Sequence, residues 1–291
     1  MTKNYIHERG VAFLVSSLVA NWDKIQTSRF TVDLWNELRG KVEINNRLDY
    51  LTALLTQGRI MDLHIDESNY QTMVQESMDN IRRELLFSLT YPILGDRNGT
   101  EILAKAYIVR LNDLASAMIT AGFTDLSKKV ESSKEIIILW NKIRNKNLVR
   151  DNRDYLVSLL VTGRIDDLKN ELGKPDGINM IVDNFQNLLT DIDQDSHVSK
   201  DDLTAAYLTE AIITQTPEIE TNGEILSIWE RFKAEMKFNN DEVDIIAAIL
   251  TGGLIRNMTM KLDFNYINDI FNRIRNRLLE LEDFEVETNN E

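Results

Sequence analysis

One stretch occurs three times in this chain, and that recurrence constrains the fold more than any other feature. Leu34-Trp35-Asn36-Glu37-Leu38-Arg39 leads through a polar break to Asp49-Tyr50-Leu51 and on to Gln57-Gly58-Arg59-Ile60. The run returns as Leu139-Trp140-Asn141-Lys142-Ile143-Arg144, with Asp154-Tyr155-Leu156 and Thr162-Gly163-Arg164-Ile165 behind it. A more divergent copy follows, Ile228-Trp229-Glu230-Arg231-Phe232-Lys233, with Asp244-Ile245-Ile246 and Gly252-Gly253-Leu254-Ile255. Between residues 34–60 and 139–165, 13 of 27 positions are identical without a gap. The tryptophans lie 105 and then 89 residues apart, so three units span the chain: 1–95, 96–195 and 196–291, the last with an acidic C-terminal tail. Internal recurrence of this kind takes precedence over every other signal, because missing it misreads the fold.

Each copy reads as two helices. Leu34, Trp35, Leu38 and Val42 form one stripe of a 3.6-residue period. Asn45 or Asn46 is a candidate N-cap for the next helix, and Asp49 falls in its first turn, where the macrodipole favours an anion. Gly58, Gly163 and Gly253 follow the last periodic residue and read as C-terminal caps. Upstream of the tryptophans, apolar spacing predicts helices over 8–22, 101–121 and 202–214. Tyr107 and Tyr207 are taken as equivalent positions in the last two. Further helices are predicted over 67–89, 178–189 and 266–281, giving four per unit and twelve in all. With only 12 Gly and 3 Pro in 291 residues, long helices are favoured over strands and turns. The predicted fold is all-α, with three units stacked as a short solenoid or superhelix whose neighbours bury each other's apolar faces.

Composition then excludes several kinds of chemistry. The absence of cysteine removes disulfides, thiolate catalysis and Cys-based zinc sites. His7, His64 and His197 form no metal-binding pair at helical spacing, and there is no nucleophile elbow or phosphate-binding glycine loop. Val11–Ala20 resembles the apolar core of a secretory signal, but Glu8 precedes it and it is too short to span a bilayer, so it is expected to be a buried helix. The cytoplasm is the expected location, with a virus particle as the alternative; abundant Asn and Ile point to an AT-rich genome such as a phage's. A net charge of −14 disfavours direct nucleic-acid and anionic-membrane binding and suits a basic partner.

Three local features carry functional alternatives. Residues 191–202 resemble an EF-hand loop, with Asp191, Asp193 and Asp195 at positions 1, 3 and 5 and Asp202 at 12. Ser196 stands where the turn glycine belongs, and Asp202 is shorter than the usual glutamate. Arg273, Arg275 and Arg277 form the densest basic run, read as ion pairing with the nearby Glu280 and Glu282. The chain from Glu280 onward carries six acids and no base, a solvating end or a docking segment for a basic partner. No catalytic, cofactor-binding or metal-binding residue is assigned. The expected function is non-catalytic: protein–protein contact, as a partner-binding or self-assembling structural component. The alternatives are an acidic inhibitor or nucleic-acid mimic aimed at a basic protein, and a calcium-responsive module using residues 191–202.

Overall fold

A computed structural model describes residues 3–22, 27–62, 69–94, 107–126, 132–146, 149, 151–165, 198–216, 219, 221–239, 241–257 and 263–281. Among them are eleven helices: α1 (Lys3–Asn21), α2 (Ser28–Arg39), α3 (Arg47–Asp62), α4 (Tyr70–Leu94), α5 (Leu111–Leu126), α6 (Ser133–Lys146), α7 (Asn152–Ile165), α8 (Lys200–Gln215), α9 (Asn222–Glu235), α10 (Glu242–Asn257) and α11 (Phe264–Leu279). The all-α expectation holds among the described residues. The helix predicted over 178–189 lies outside them.

Six helices form an inner layer. α1 packs on α3, α3 on α5, α5 on α7, α7 on α8, α8 on α10, and α10 back on α1. The expectation of a short solenoid or superhelix did not include contact between its ends: the first helix lies directly along the tenth and closes a ring. Inner neighbours run parallel: Arg9 meets Glu242 and Ser16 meets Gly253 across the α1–α10 seam. Lys200 meets Glu242 and Ala211 meets Gly252 across α8–α10. The remaining helices return antiparallel on the outside. Trp35 of α2 reaches Glu8 near the start of α1, whereas Phe30 reaches Trp22 just past its end.

The ring is held by a small set of sequence choices. Val11, Ala12, Leu14 and Val15 are fully buried, so the signal-like stretch is an inner helix sealed on all sides. Buried Ser and Thr hydroxyls on these helices donate to carbonyls one turn back in their own helix, as in Thr56 to Thr52, Thr124 to Thr120, Thr162 to Ser158 and Thr251 to Ala247. Each of these four hydroxyls is satisfied locally, which lets short side chains face a neighbouring helix; Ser116 Oγ of α5 is buried without a partner among the described residues.

The repeated glycines have a different role from the capping one expected. α3 and α10 continue past Gly58 and Gly253, and neither glycine adopts a left-handed conformation. A Cβ on Gly58 would lie 2.9 Å from Thr124 Cβ and 3.1 Å from Ala121 Cα of α5; one on Gly253 would lie 2.6 Å from the Ser16 carbonyl oxygen of α1. These glycines are where one unit's backbone touches the next. Gly163, the matching residue, lies within α7.

The 101–121 helix also needs correction. Residues 107–110 are not helical, and α5 begins at Leu111 because the Asp113 carboxylate accepts the Arg110 N–H at 2.8 Å and fixes the start. Tyr107 thus precedes the helix, and the residue that occupies the place of Tyr207 is Met118: each lies five positions after an acid whose carbonyl binds the repeat tryptophan.

Candidate functional site on the ring axis

Trp35, Trp140 and Trp229 each donate an indole N–H to a backbone carbonyl 27 residues earlier, those of Glu8, Asp113 and Asp202, at 3.3, 3.1 and 3.0 Å. The base four residues after each tryptophan lies over the indole ring and pairs with the same acid: Arg39 with Glu8, Arg144 with Asp113, Lys233 with Asp202. A cation stacked on a ring and clamped by a carboxylate pins each outer helix to its inner partner. The repeat tryptophans, their bases and their acids are all consumed by this frame.

The start of the second helix in each copy is also fixed locally. Asn46 Oδ1 accepts from the N–H groups of Leu48 and Asp49, and Asp151 Oδ1 from those of Arg153 and Asp154. Asp49 in turn accepts the Asn45 N–H and pairs with Arg82 at 3.1 Å. The Asn46 cap is as the sequence predicts.

Near the starting ends of the inner helices the axis carries a polar cluster that sequence reasoning missed. Arg9 of α1 and Glu242 of α10 form an ion pair with both side chains below a tenth exposed. Tyr50 of α3, Tyr155 of α7 and Tyr207 of α8 surround them, and the Tyr155 and Tyr207 hydroxyls lie 3.4 Å apart. Phe13 packs edge-on against Tyr207 at a centroid separation of 5.6 Å. Arg9 Nε and Tyr50 Oη are buried without a hydrogen-bond partner among the described residues. Burial pushes all three phenols above the ordinary tyrosine range, which keeps them neutral donors. Burial opposes the charge on Arg9, but the Glu242 carboxylate together with Tyr50, Tyr207 and Tyr155 more than offsets this and holds its pKa above the usual value. One signal was available: Tyr50 and Tyr155 share a repeat position, and Arg9 adjoins the most apolar stretch of the chain.

Toward the far ends of the inner helices the axis closes around a cavity of about 30 Å³, to which all six inner helices contribute. Ser17, Gln57, Thr162 and Thr214 line it, with the Glu210–Arg256 ion pair in its wall. That space has room for about one or two waters and is well below the several hundred Å³ of a small-molecule site.

A larger depression lies at the rim on the starting side. This groove of about 790 Å³ runs between the first turn of α3, the outer face of α4 and residues 107–109. Leu48, Leu86, Ile108 and Val109 make it apolar, and Arg47, Arg82 and Arg83 make it basic.

The other predicted features resolve as follows. Asp191, Asp193 and Asp195 lie outside the described residues, as do His64 and His197. Asp202 accepts from the Ser199 N–H at 2.8 Å as half of a capping box and pairs with Lys233, the same duties that Asp113 performs in α5. Among the described residues no group of three His, Asp or Glu side chains converges as a metal site would. His7 sits between the Arg39 carbonyl and the Ile44 N–H. The arginine run pairs with other partners than Glu280 and Glu282: Arg273 with Asp269, Arg275 with the buried Asp244, and Arg277 with Asp33 of α2. Despite Arg275, burial lifts Asp244 above the usual carboxylate range. Among the described residues no helix is long and apolar enough to cross a membrane. The chain matches no protein-family model, and neither the curated proteins nor the solved structures compared with it gave a match.

Proposed function

We propose that the protein is a non-catalytic interaction module, in which three copies of the helical motif build a rigid frame and unshared surface residues make contact with other proteins or further copies of itself. The observation that carries this reading is that the polar motif residues described above are spent on capping, pinning or closing the ring. The axis supports it as well, since its cavity accommodates water rather than an organic substrate. A rigid ring lets a binding surface be pre-organised, which reduces the ordering cost of association.

The measurement that tests this is absolute mass by light scattering after size exclusion, over a range of concentrations. A defined multimer that persists on dilution supports self-assembly, and a stoichiometric complex with a partner protein supports the adaptor form. A chain that stays at 33.6 kDa at every concentration and retains no protein from its source lysate would refute it.

A further inference from the structure

All six inner helices end around the far cavity. Ser17, Gln57, Gly122, Thr162, Thr214 and Arg256 line it, and each lies in the closing turns of its own helix. The last carbonyls of a helix have no intrahelical partner, and the macrodipole leaves a partial negative charge there. Because the inner helices run parallel, these ends add on the axis. The described outer helices run the other way, but their positive ends stand one layer further out, about 10 Å away. The axis at this mouth is therefore a negative pole.

The cavity wall is matched to a hydrogen-bond donor. Ser17 Oγ gives its proton to the Phe13 carbonyl at 3.2 Å, Thr162 Oγ1 to that of Ser158 at 2.8 Å, and Thr214 Oγ1 to that of Glu210 at 2.8 Å. With those protons committed, each hydroxyl has only lone pairs left to offer. Arg256 bonds Oε2 of the Glu210 carboxylate, and Oε1 makes no hydrogen bond among the described residues. Gln57 adds an amide carbonyl. Ser17, Thr162 and Glu210 are each more than nine-tenths buried, so bulk water screens them little. The Glu210–Arg256 pair cancels its own charge, and the field of the six helix ends remains.

The occupant these features select is small, positive and rich in donors. An ammonium group is the size of a water and fits a space of about 30 Å³. It directs all of its N–H bonds outward as donors, whereas a water must also accept. A calcium ion takes six to eight oxygen ligands, more than these side chains supply. We propose that the far mouth binds a single ammonium group, either the free ion or the tip of a lysine side chain, through the hydroxyls of Ser17, Thr162 and Thr214 and the Glu210 carboxylate. The site goes beyond the interaction reading and does not depend on it.

The test is methyl NMR of the full-length chain, following Met118 and Ile249 in the cavity wall during titration at constant ionic strength. The probes are ammonium, n-butylammonium as a lysine mimic, potassium and tetramethylammonium. The expected result is saturable shifts with one or both of the first two, at an affinity about tenfold above that for potassium. Loss of one charge-assisted hydrogen bond in Thr162→Val should weaken binding about tenfold. Glu210→Gln, which leaves the Arg256 charge facing the site, should abolish it. Saturation by ammonium alone assigns the free ion, and saturation by n-butylammonium assigns the lysine tip. An equal response to potassium or tetramethylammonium would overturn the proposal, as would no saturation with either amine or wild-type affinity in Thr162→Val. Thr162→Val keeps the shape of the side chain, and far-UV circular dichroism of both variants separates loss of the site from loss of fold.

Discussion

Gly253→Ala tests the closed ring at its tightest point. A Cβ at this position would sit 2.6 Å from the Ser16 carbonyl oxygen, 2.8 Å from Ser16 Cα and 3.0 Å from Ser16 Oγ. Ordinary van der Waals contact begins near 3.4 Å, so α1 and α10 would have to part by about 0.8 Å. The obstacle is backbone, which cannot rotate away as a long side chain would. Two terms oppose each other. Alanine is favoured over glycine inside a helix by about 0.5–1 kcal/mol, whereas forced overpacking costs about 1–3 kcal/mol. Separation of the seam also disturbs the Arg9–Glu242 pair and the bonds from Asn257 Nδ2 to the Val19 and Trp22 carbonyls, which span the same two helices. The expected net effect is a loss of about 1–2 kcal/mol in urea unfolding followed by tryptophan fluorescence. Gly223→Ala is the matched control, since its Cβ would meet only Thr221 Oγ1 at 3.9 Å. There the helix-propensity gain acts alone, and stability should rise or stay level. A Gly253→Ala protein as stable as wild type, with the control behaving as expected, would refute the close backbone approach and with it the closed seam.

Other consequences of the same geometry can be measured. Arg9→Met should lose about 3–5 kcal/mol by leaving Glu242 buried without its main partner; Arg9→Met/Glu242→Met should recover most of that loss, and a double variant as unstable as the single one would show that the pair is not the relevant interaction. Burial lowers the His7 pKa below its ordinary value, so between that folded value and 6.5 the unfolded chain binds more protons and stability rises with pH. The contribution of His7 is present above pH 6.5 and is lost on acidification; wild type should therefore weaken more steeply than His7→Gln between pH 7 and 5, and parallel pH profiles would exclude it. A chain ending at residue 197 should lose its near-UV circular dichroism, because α1 would be stripped of α10; retention of native-like tertiary signals would favour an open stack.

Much of the local structure was legible because its causes are local. The spacing of Leu34, Trp35 and Leu38 places a buried stripe on α2, and Asn46 caps α3, each from contacts within a few residues. Arg275 and Arg277 illustrate the converse. Acids lie close to both in sequence, and Glu280 stands one helical turn from Arg277, yet their partners are Asp244 and Asp33, brought in by packing. Gly58 and Gly253 mislead for a related reason: a glycine late in a helical pattern looks the same whether it ends a helix or admits another one.

The sequence by itself determined the helical class, the recurring motif, the Asn46 cap and the absence of cysteine chemistry. Only the tertiary structure decided that the units close on themselves, that Arg9 meets Glu242 across 233 residues, and that three tyrosines share one axis. The physical reason is that closure depends on the accumulated rotation between units. That rotation is set by how closely α3 approaches α5, and α10 approaches α1, at the glycines. Periodicity records which face of a helix is buried, but not the angle at which the next helix arrives.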